Sequence, residues 1–231
     1  MIDILGVQLS RVSFSEAQAT LASWLETNEN HVIVTPNPEA VMIARRDSEF
    51  ANALNAADLS LADGTGILLA SRYLNRALPE RVRGIDTIFA LLENRELTAY
   101  FLGGVDGIAE EAKNRMEARF PKLRVLGFHH GFFTEDAKII EEINRLSPDI
   151  LLVCTGMPRA EIWAIKNRHI KARLTMCLGG TLDVMAGKAR LAPAWLRRMG
   201  LEWLYRLLTN PARWRRMLNI PCFVWAVLRS K

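Results

Sequence analysis

The sequence predicts an α/β fold: a mostly parallel, doubly wound sheet flanked by helices, followed by a helical tail of different character. Three observations carry this. Through residues 1–186, short apolar runs alternate with helical patterns, the signature of strand–helix–strand units. Several runs are apolar without interruption, as in DILLVCTG, which suits strands covered on both faces. From Gly187 onward the chain turns basic and rich in tryptophan.

Seven runs read as strands: Ile4–Leu9, Val32–Thr35, Leu59–Ala62, Ala99–Leu102, Arg124–Phe128, Ile150–Thr155 and Leu174–Leu178. Helical patterns lie between them. Ser13–Thr27 opens with Ser13 and carries Glu16 three residues later, the spacing of a capping box. Gly107–Phe120 is amphipathic with interleaved charges, and Glu135–Leu146 stops at Ser147-Pro148. Pro193–Leu208 places Trp195, Met199, Trp203, Leu204, Leu207 and Leu208 on one side, and a second tail helix is expected after Asn210-Pro211. The division expected is an α/β domain, 1–190, and a basic amphipathic helical appendage, 191–231.

At 231 residues and 50% hydrophobic composition the chain can bury a sizeable core. Cys154, Cys177 and Cys222 are few and widely spaced, which argues against a disulfide framework or zinc site and fits a reducing compartment. The N-terminal segment has Asp3 and no preceding basic residue, so it does not read as a signal peptide. No stretch reaches the ~20 apolar residues of a membrane span. The expectation from composition is a cytoplasmic protein, with association to a membrane surface left open.

The net charge of +5 is unevenly spread. Gly187–Lys231 holds ten Lys/Arg and one acid, Glu202, for +9, while the rest of the chain carries −4. Such a tail calls for an anionic partner: nucleic acid, anionic lipid or a diphosphate. Four of the six tryptophans lie in it, and aromatic faces flanked by arginine suit a membrane interface. A helical hairpin packed on the core, with solvated arginines, fits the composition equally.

Ligands of doubly wound sheets bind beyond the carboxyl ends of the strands, so the turns there are the candidate sites. Thr35-Pro36-Asn37-Pro38 offers Thr35 and Asn37 to a crevice, or Asn37 as a helix cap. Asp63, before Gly64-Thr65-Gly66, is a carboxylate able to act as a general base or to cap the next helix. Gly103 and Gly104 precede a helix and suit a phosphate cradle or a tight turn. Gly156, Pro158, Arg159 and Glu161 after one strand, and Gly179, Gly180 and Asp183 after another, would line a nucleotide pocket. Arg159 reads either as a phosphate partner or as a surface arginine. Arg81 and Arg83 offer planar forks to phosphate or form a solvated basic pair. His129 and His130 read as structural. No metal cluster or cofactor is called for.

The ordered blocks TPNPEAV, LADGTGI, ERVRGIDT, FLGG, GMPRAEIW, GGTLDVMAGKARLAP and GLEWLYRLLTNPARWRR resemble those of the WecG/TagA/CpsF glycosyltransferases, glycosyltransferase family 26, from about Leu5 to Arg216. The resemblance implies a Rossmann-like GT-E fold with a C-terminal appendage. It also implies an inverting, metal-independent transfer of N-acetylmannosamine, its uronic acid or glucose from a UDP-sugar to a polyprenyl-diphosphate-linked acceptor. On it, Asp63 is the general base, Thr35 and Asn37 stand beside it, and Arg81 stabilises the leaving diphosphate. Arg206, Arg213 and Arg216 meet the acceptor's diphosphate. One departure stands out: Ala160 occupies the position where the family usually has Gln.

The resemblance is compatible with a homo-oligomer and does not call for nucleic acid, for which no binding motif is present. A catalytically weak scaffold of the same fold, supported by Ala160, is the alternative to the enzyme.

Overall fold

The computed structural model describes residues 1–93, 95–209 and 214–230, apart from the side chains of Arg198, Arg206 and Arg215. Its centre is a six-stranded sheet of β3 (His31–Val34), β4 (Leu59–Ser60), β5 (Leu97–Gly103), β6 (Leu123–His129), β7 (Ile150–Cys154) and β8 (Leu174–Cys177). The order is β4-β3-β8-β7-β5-β6 and every pairing is parallel. All six carboxyl ends therefore open on one edge.

Side chains along each strand divide between two apolar layers. In β7, Leu151 and Val153 join one and Ile150 and Leu152 the other; in β5, Tyr100 and Leu102 oppose Ala99 and Phe101. A two-residue period carries each strand from one layer to the other, and both layers need apolar side chains. The uninterrupted runs in the sequence have this cause.

Helices cover both faces: α1 (Phe14–Trp24), α2 (Pro38–Ala44), α3 (Ser48–Asn55), α4 (Thr65–Tyr73), α5 (Gly84–Glu93), α6 (Ile108–Arg119), α7 (Ala137–Leu146), α8 (Arg159–Lys166) and α9 (Thr181–Met185). At the start of α1 both capping-box bonds form: Ser13 Oγ accepts from Glu16 N at 3.3 Å, and Glu16 Oε2 accepts from Ser13 N at 2.7 Å.

The run Ile4–Leu9 is not one strand. It turns at Leu5-Gly6, so that β1 (Ile2–Ile4) pairs antiparallel with β2 (Val7–Leu9) in a separate hairpin. Leu5 and Gly6 both take positive φ, 55° and 92°, as a two-residue hairpin requires, and Asp3 Oδ1 accepts from Gly6 N.

Pro193–Leu208 is likewise not one helix. It divides into α10 (Ala194–Arg198) and α11 (Glu202–Thr209), with Gly200 at φ +75° between them. Leu201 N bonds Leu196 O at 2.9 Å and Gly200 N bonds Arg197 O at 3.2 Å, the paired bonds of a Schellman stop. A Cβ at Gly200 would lie 2.8 Å from the Thr65 side chain, so close packing as well as backbone conformation demands glycine.

The chain ends in α12 (Trp214–Met217) and α13 (Asn219–Leu228). The helix α13 packs on α2 and α4, and its Phe223, Ala226 and Val227 belong to the same apolar layer as Val32 and Val34. Among the described residues no helix is long and apolar enough to cross a membrane.

Candidate active site

Strand order decides which turns become neighbours. Because β4, β3 and β8 are adjacent, Asp63, Thr35 with Asn37, and Gly179 with Gly180 stand side by side on the carboxyl edge. Thr35 Oγ1 donates to Cys177 O at 3.3 Å and ties β3 to β8. Asp63 N bonds Pro36 O at 3.0 Å and ties the β4 turn to the β3 turn. Asp63 is half-buried, and the N-cap of α4 is Gly64, so Asp63 is not the cap of that helix. Asn37 does cap: its Oδ1 accepts from Ala40 N at 3.0 Å at the start of α2. That bond engages the carbonyl oxygen and orients the side-chain amide beside the Asp63 turn.

Residues 81–83 run along the same edge. Val82 N bonds Ala62 O at 3.1 Å, next to Asp63. Arg81 donates to Thr65 Oγ1 at 3.2 Å and to Arg197 O at 3.4 Å, bridging α4 and the end of α10. Arg83 is 5% exposed, with Nε 3.4 Å from Asp86 Oδ2 and 3.9 Å from Glu202 Oε2. Gly84 starts α5 hard against Thr35 and Leu178, where a Cβ would fall within 2.8 Å of both side chains.

The β7 and β5 ends form the other half of the edge. Gly103, at φ +149°, lets this turn approach the β7 backbone: a Cβ there would lie 2.4 Å from Cys154 O. Gly104 O accepts from Gly131 N at 2.8 Å and holds the loop after β6 against the glycine turn. Gly156 takes φ +82° and Met157-Pro158 is a cis peptide at the entrance to α8. Arg159 spends its donors on Gly131 O at 2.9 Å and Phe133 O at 2.5 Å, and its guanidinium lies over the Phe133 ring. In this arrangement Arg159 shapes the loop. His129 Nδ1 bonds His130 O within that same loop.

Two polar atoms beneath this half are buried without a hydrogen-bond partner among the described residues: Thr155 Oγ1 and Glu161 Oε2. Burial pushes the Glu161 carboxyl up to about 7. Ala160, beside it, is fully buried in the apolar layer. Asp183 is half-buried on α9, and its backbone carbonyl takes Lys188 N and Ala189 N at 2.9 Å each.

Of the three tail arginines, Arg213 and the side chain of Arg206 lie outside the described residues. Arg216 pairs with Glu39 on α2, Nε to Oε1 at 2.5 Å. Glu39, Glu202 and Arg197 were not singled out from sequence as site residues. The one available signal was that Glu202 is the sole acid in a strongly basic tail.

The sequence profile of the Glycosyl transferase WecG/TagA/CpsF family matches residues 2–231. The N-acetylglucosaminyldiphosphoundecaprenol N-acetyl-beta-D-mannosaminyltransferase of Bacillus spizizenii is 35% identical over 213 residues, which is 90% of this chain and 83% of that one. The protein of the same name from Bacillus subtilis strain 168 is 31% identical over 225 residues, 92% and 88% of the two chains. The one from Staphylococcus aureus strain MRSA252 is 29% identical over 237 residues, 100% and 93%. A profile spanning almost every residue, on a fold whose adjacent strand ends bring the family's sequence blocks to one edge, leaves one assignment: this chain belongs to the WecG/TagA/CpsF family and is a glycosyltransferase.

Proposed function

We propose that this chain transfers an N-acetylmannosamine-type sugar from a UDP-sugar to a polyprenyl-diphosphate-linked N-acetylglucosamine acceptor, with inversion and without a metal, in bacterial surface-polysaccharide biosynthesis. The observation that carries the reading is the adjacency of Asp63 to the Thr35–Asn37 turn on neighbouring strand ends, with Arg81 alongside. The activity for which the relatives are named supplies the sugar and the acceptor class.

The chemistry follows from those groups. The acceptor hydroxyl oxygen attacks the anomeric carbon as the bond from that carbon to the UDP oxygen breaks. The hydroxyl proton passes to the Asp63 carboxylate, and the electron pair leaves with UDP. A positioned base of this kind contributes ~10²–10⁴-fold. Charge develops on the departing diphosphate, where fixed guanidinium donors such as Arg81 act without reorganisation. The glycine turns at Gly103, Gly104, Gly156, Gly179 and Gly180 let the donor approach the backbone, with Pro158, Arg159 and Asp183 shaping the pocket around it. Since Ala160 packs into the core, the polar role of the family's Gln falls to the unpartnered Thr155 Oγ1 and Glu161 Oε2 beside it.

The tail reads as the membrane-facing side. Trp195, Met199, Trp214, Trp225 and Leu228 are all more than half exposed in a tail whose helices carry or are flanked by arginine, a composition suited to the bilayer interface. Contact there, at the inner face of the cytoplasmic membrane, would bring a lipid-linked diphosphate to Arg206, Arg213 and Arg216.

The test is a mass-spectrometric transfer assay offering a panel of UDP-sugars with a short-chain lipid-diphosphate N-acetylglucosamine, in liposomes, with and without EDTA. Transfer of one N-acetylmannosamine-type sugar, unaffected by EDTA, is the expected result. UDP binding with no transfer from any donor would instead favour a scaffold role.

A further inference from the structure

Around the start of α5, the guanidinium groups of Arg83 and Arg197 share the carboxylates of Asp86 and Glu202, with Arg81 alongside. Residues 81–83 are neither helix nor strand; Val82 and Arg83 are buried and Arg81 is half-buried. Both reach the α10–α11 stop: Arg81 through Arg197 O at 3.4 Å, Arg83 towards Glu202 at 3.9 Å. Arg197 reaches back, with Nη1 4.0 Å from Asp86 Oδ1. These separations are long beside the ~2.7–2.9 Å of a well-made charge-assisted bond.

Two donors of the cluster are buried with no hydrogen-bond partner among the described residues: Nη2 of Arg83 and Nε of Arg197. A buried cationic donor left unmade is costly, and the described side chains carry three positive charges against two negative. An anion would supply both the missing acceptors and the missing charge. The place suits a reacting group, because Val82 is bonded to Ala62, the neighbour of Asp63, and Gly84 abuts Thr35. Planar forks from two or three sides match the oxygens of phosphate esters.

We infer that Arg83 and Arg197 complete, with Arg81, a binding site for a diphosphate, closed on one side by the α10–α11 turn. This deepens the proposed function, since it rests on a substrate that carries a diphosphate. Two substrates of that reaction do so, the nucleotide donor and the lipid-linked acceptor, and the same chemistry would hold either.

The experiment is calorimetric titration of the full chain with inorganic pyrophosphate, UDP, uridine and a short-chain prenyl diphosphate, in the wild type and in Arg83→Met, Arg83→Lys, Arg197→Met and Glu202→Gln. Circular dichroism melts check folding. Arg83→Met should bind pyrophosphate about tenfold or more weakly, the usual effect of losing a charged hydrogen bond, with uridine affinity unchanged. Arg83→Lys should recover part of the loss. A loss shared only with UDP assigns the site to the donor, and one shared only with the prenyl diphosphate assigns it to the acceptor.

If Arg83 merely pins α11, Glu202→Gln will reproduce Arg83→Met, and the inference falls. It falls equally if the wild type binds no pyrophosphate, or if a folded Arg83→Met binds it as well as the wild type. Should Arg83→Met fail to fold, Arg83→Lys and Arg197→Met decide by the same readout. Because binding is read without turnover, failure here is separable from failure to transfer sugar.

Discussion

Arg216 on α12 donates from Nε to Oε1 of Glu39 on the first turn of α2, at 2.5 Å, with the Glu39 side chain only 12% exposed. The pair fastens the last part of the chain beside Asn37, two residues from Glu39. Under the proposed function it also aims a tail cation at the acceptor. Glu39→Ala should raise the acceptor KM roughly fivefold, the effect of about 1 kcal/mol, with UDP affinity unchanged. Steady-state kinetics with the lipid-linked acceptor measure it, and an unaltered KM would show that Arg216 does not serve the acceptor.

Asp63→Asn removes the proposed base and keeps its shape. Turnover should fall by ~10²–10⁴-fold, while the melting temperature and UDP affinity stay near wild type. Near-normal kcat would remove Asp63 from the chemistry.

Glu161 should make stability pH-dependent. Its carboxyl titrates near 7 in the folded protein because burial disfavours the charged form, against 4.5 when exposed. Between those values the unfolded chain has released the proton and the folded chain still holds it, so stability declines as pH rises. The penalty is absent below about 4.5 and complete above about 7, on the order of 3 kcal/mol. Glu161→Gln should flatten this decline. Denaturant melts at pH 5, 6, 7 and 8 would reveal it; parallel pH profiles for wild type and variant would contradict it.

The two faces of α13 should respond differently. Phe223 is buried in the sheet's apolar layer, so Phe223→Ala should cost about 3–5 kcal/mol. Trp225 is 58% exposed, so Trp225→Ser should leave the melt nearly unchanged and weaken sedimentation with anionic liposomes. Undiminished liposome binding in a combined Trp195, Trp214 and Trp225 variant would count against the tail as the membrane face.

Local features of this protein could be read directly from sequence. Ser13 and Glu16 cap α1 because the partners are three residues apart, and Asn37 caps α2 for the same reason. The strands of the sheet were legible because burial on both faces demands apolar side chains at successive positions, as in β7. The Leu5-Gly6 hairpin was hidden because leucine seldom adopts positive φ, so the apolar run looked continuous. The division of the tail helix was hidden because the apolar period passes straight through Gly200.

The sequence alone therefore determined the α/β class, the family's ordered blocks and the turns where polar groups leave the sheet, since each depends on residues close together in the chain. Tertiary structure decided which turns meet. Strand order seats Thr35 between Asp63 and Gly179, and the Gly200 stop folds Arg197 and Glu202 back onto Arg81, Arg83 and Asp86. Those partners lie more than 100 residues apart, and only the packing of α10 and α11 against α4 and α5 determines the separation of their charges.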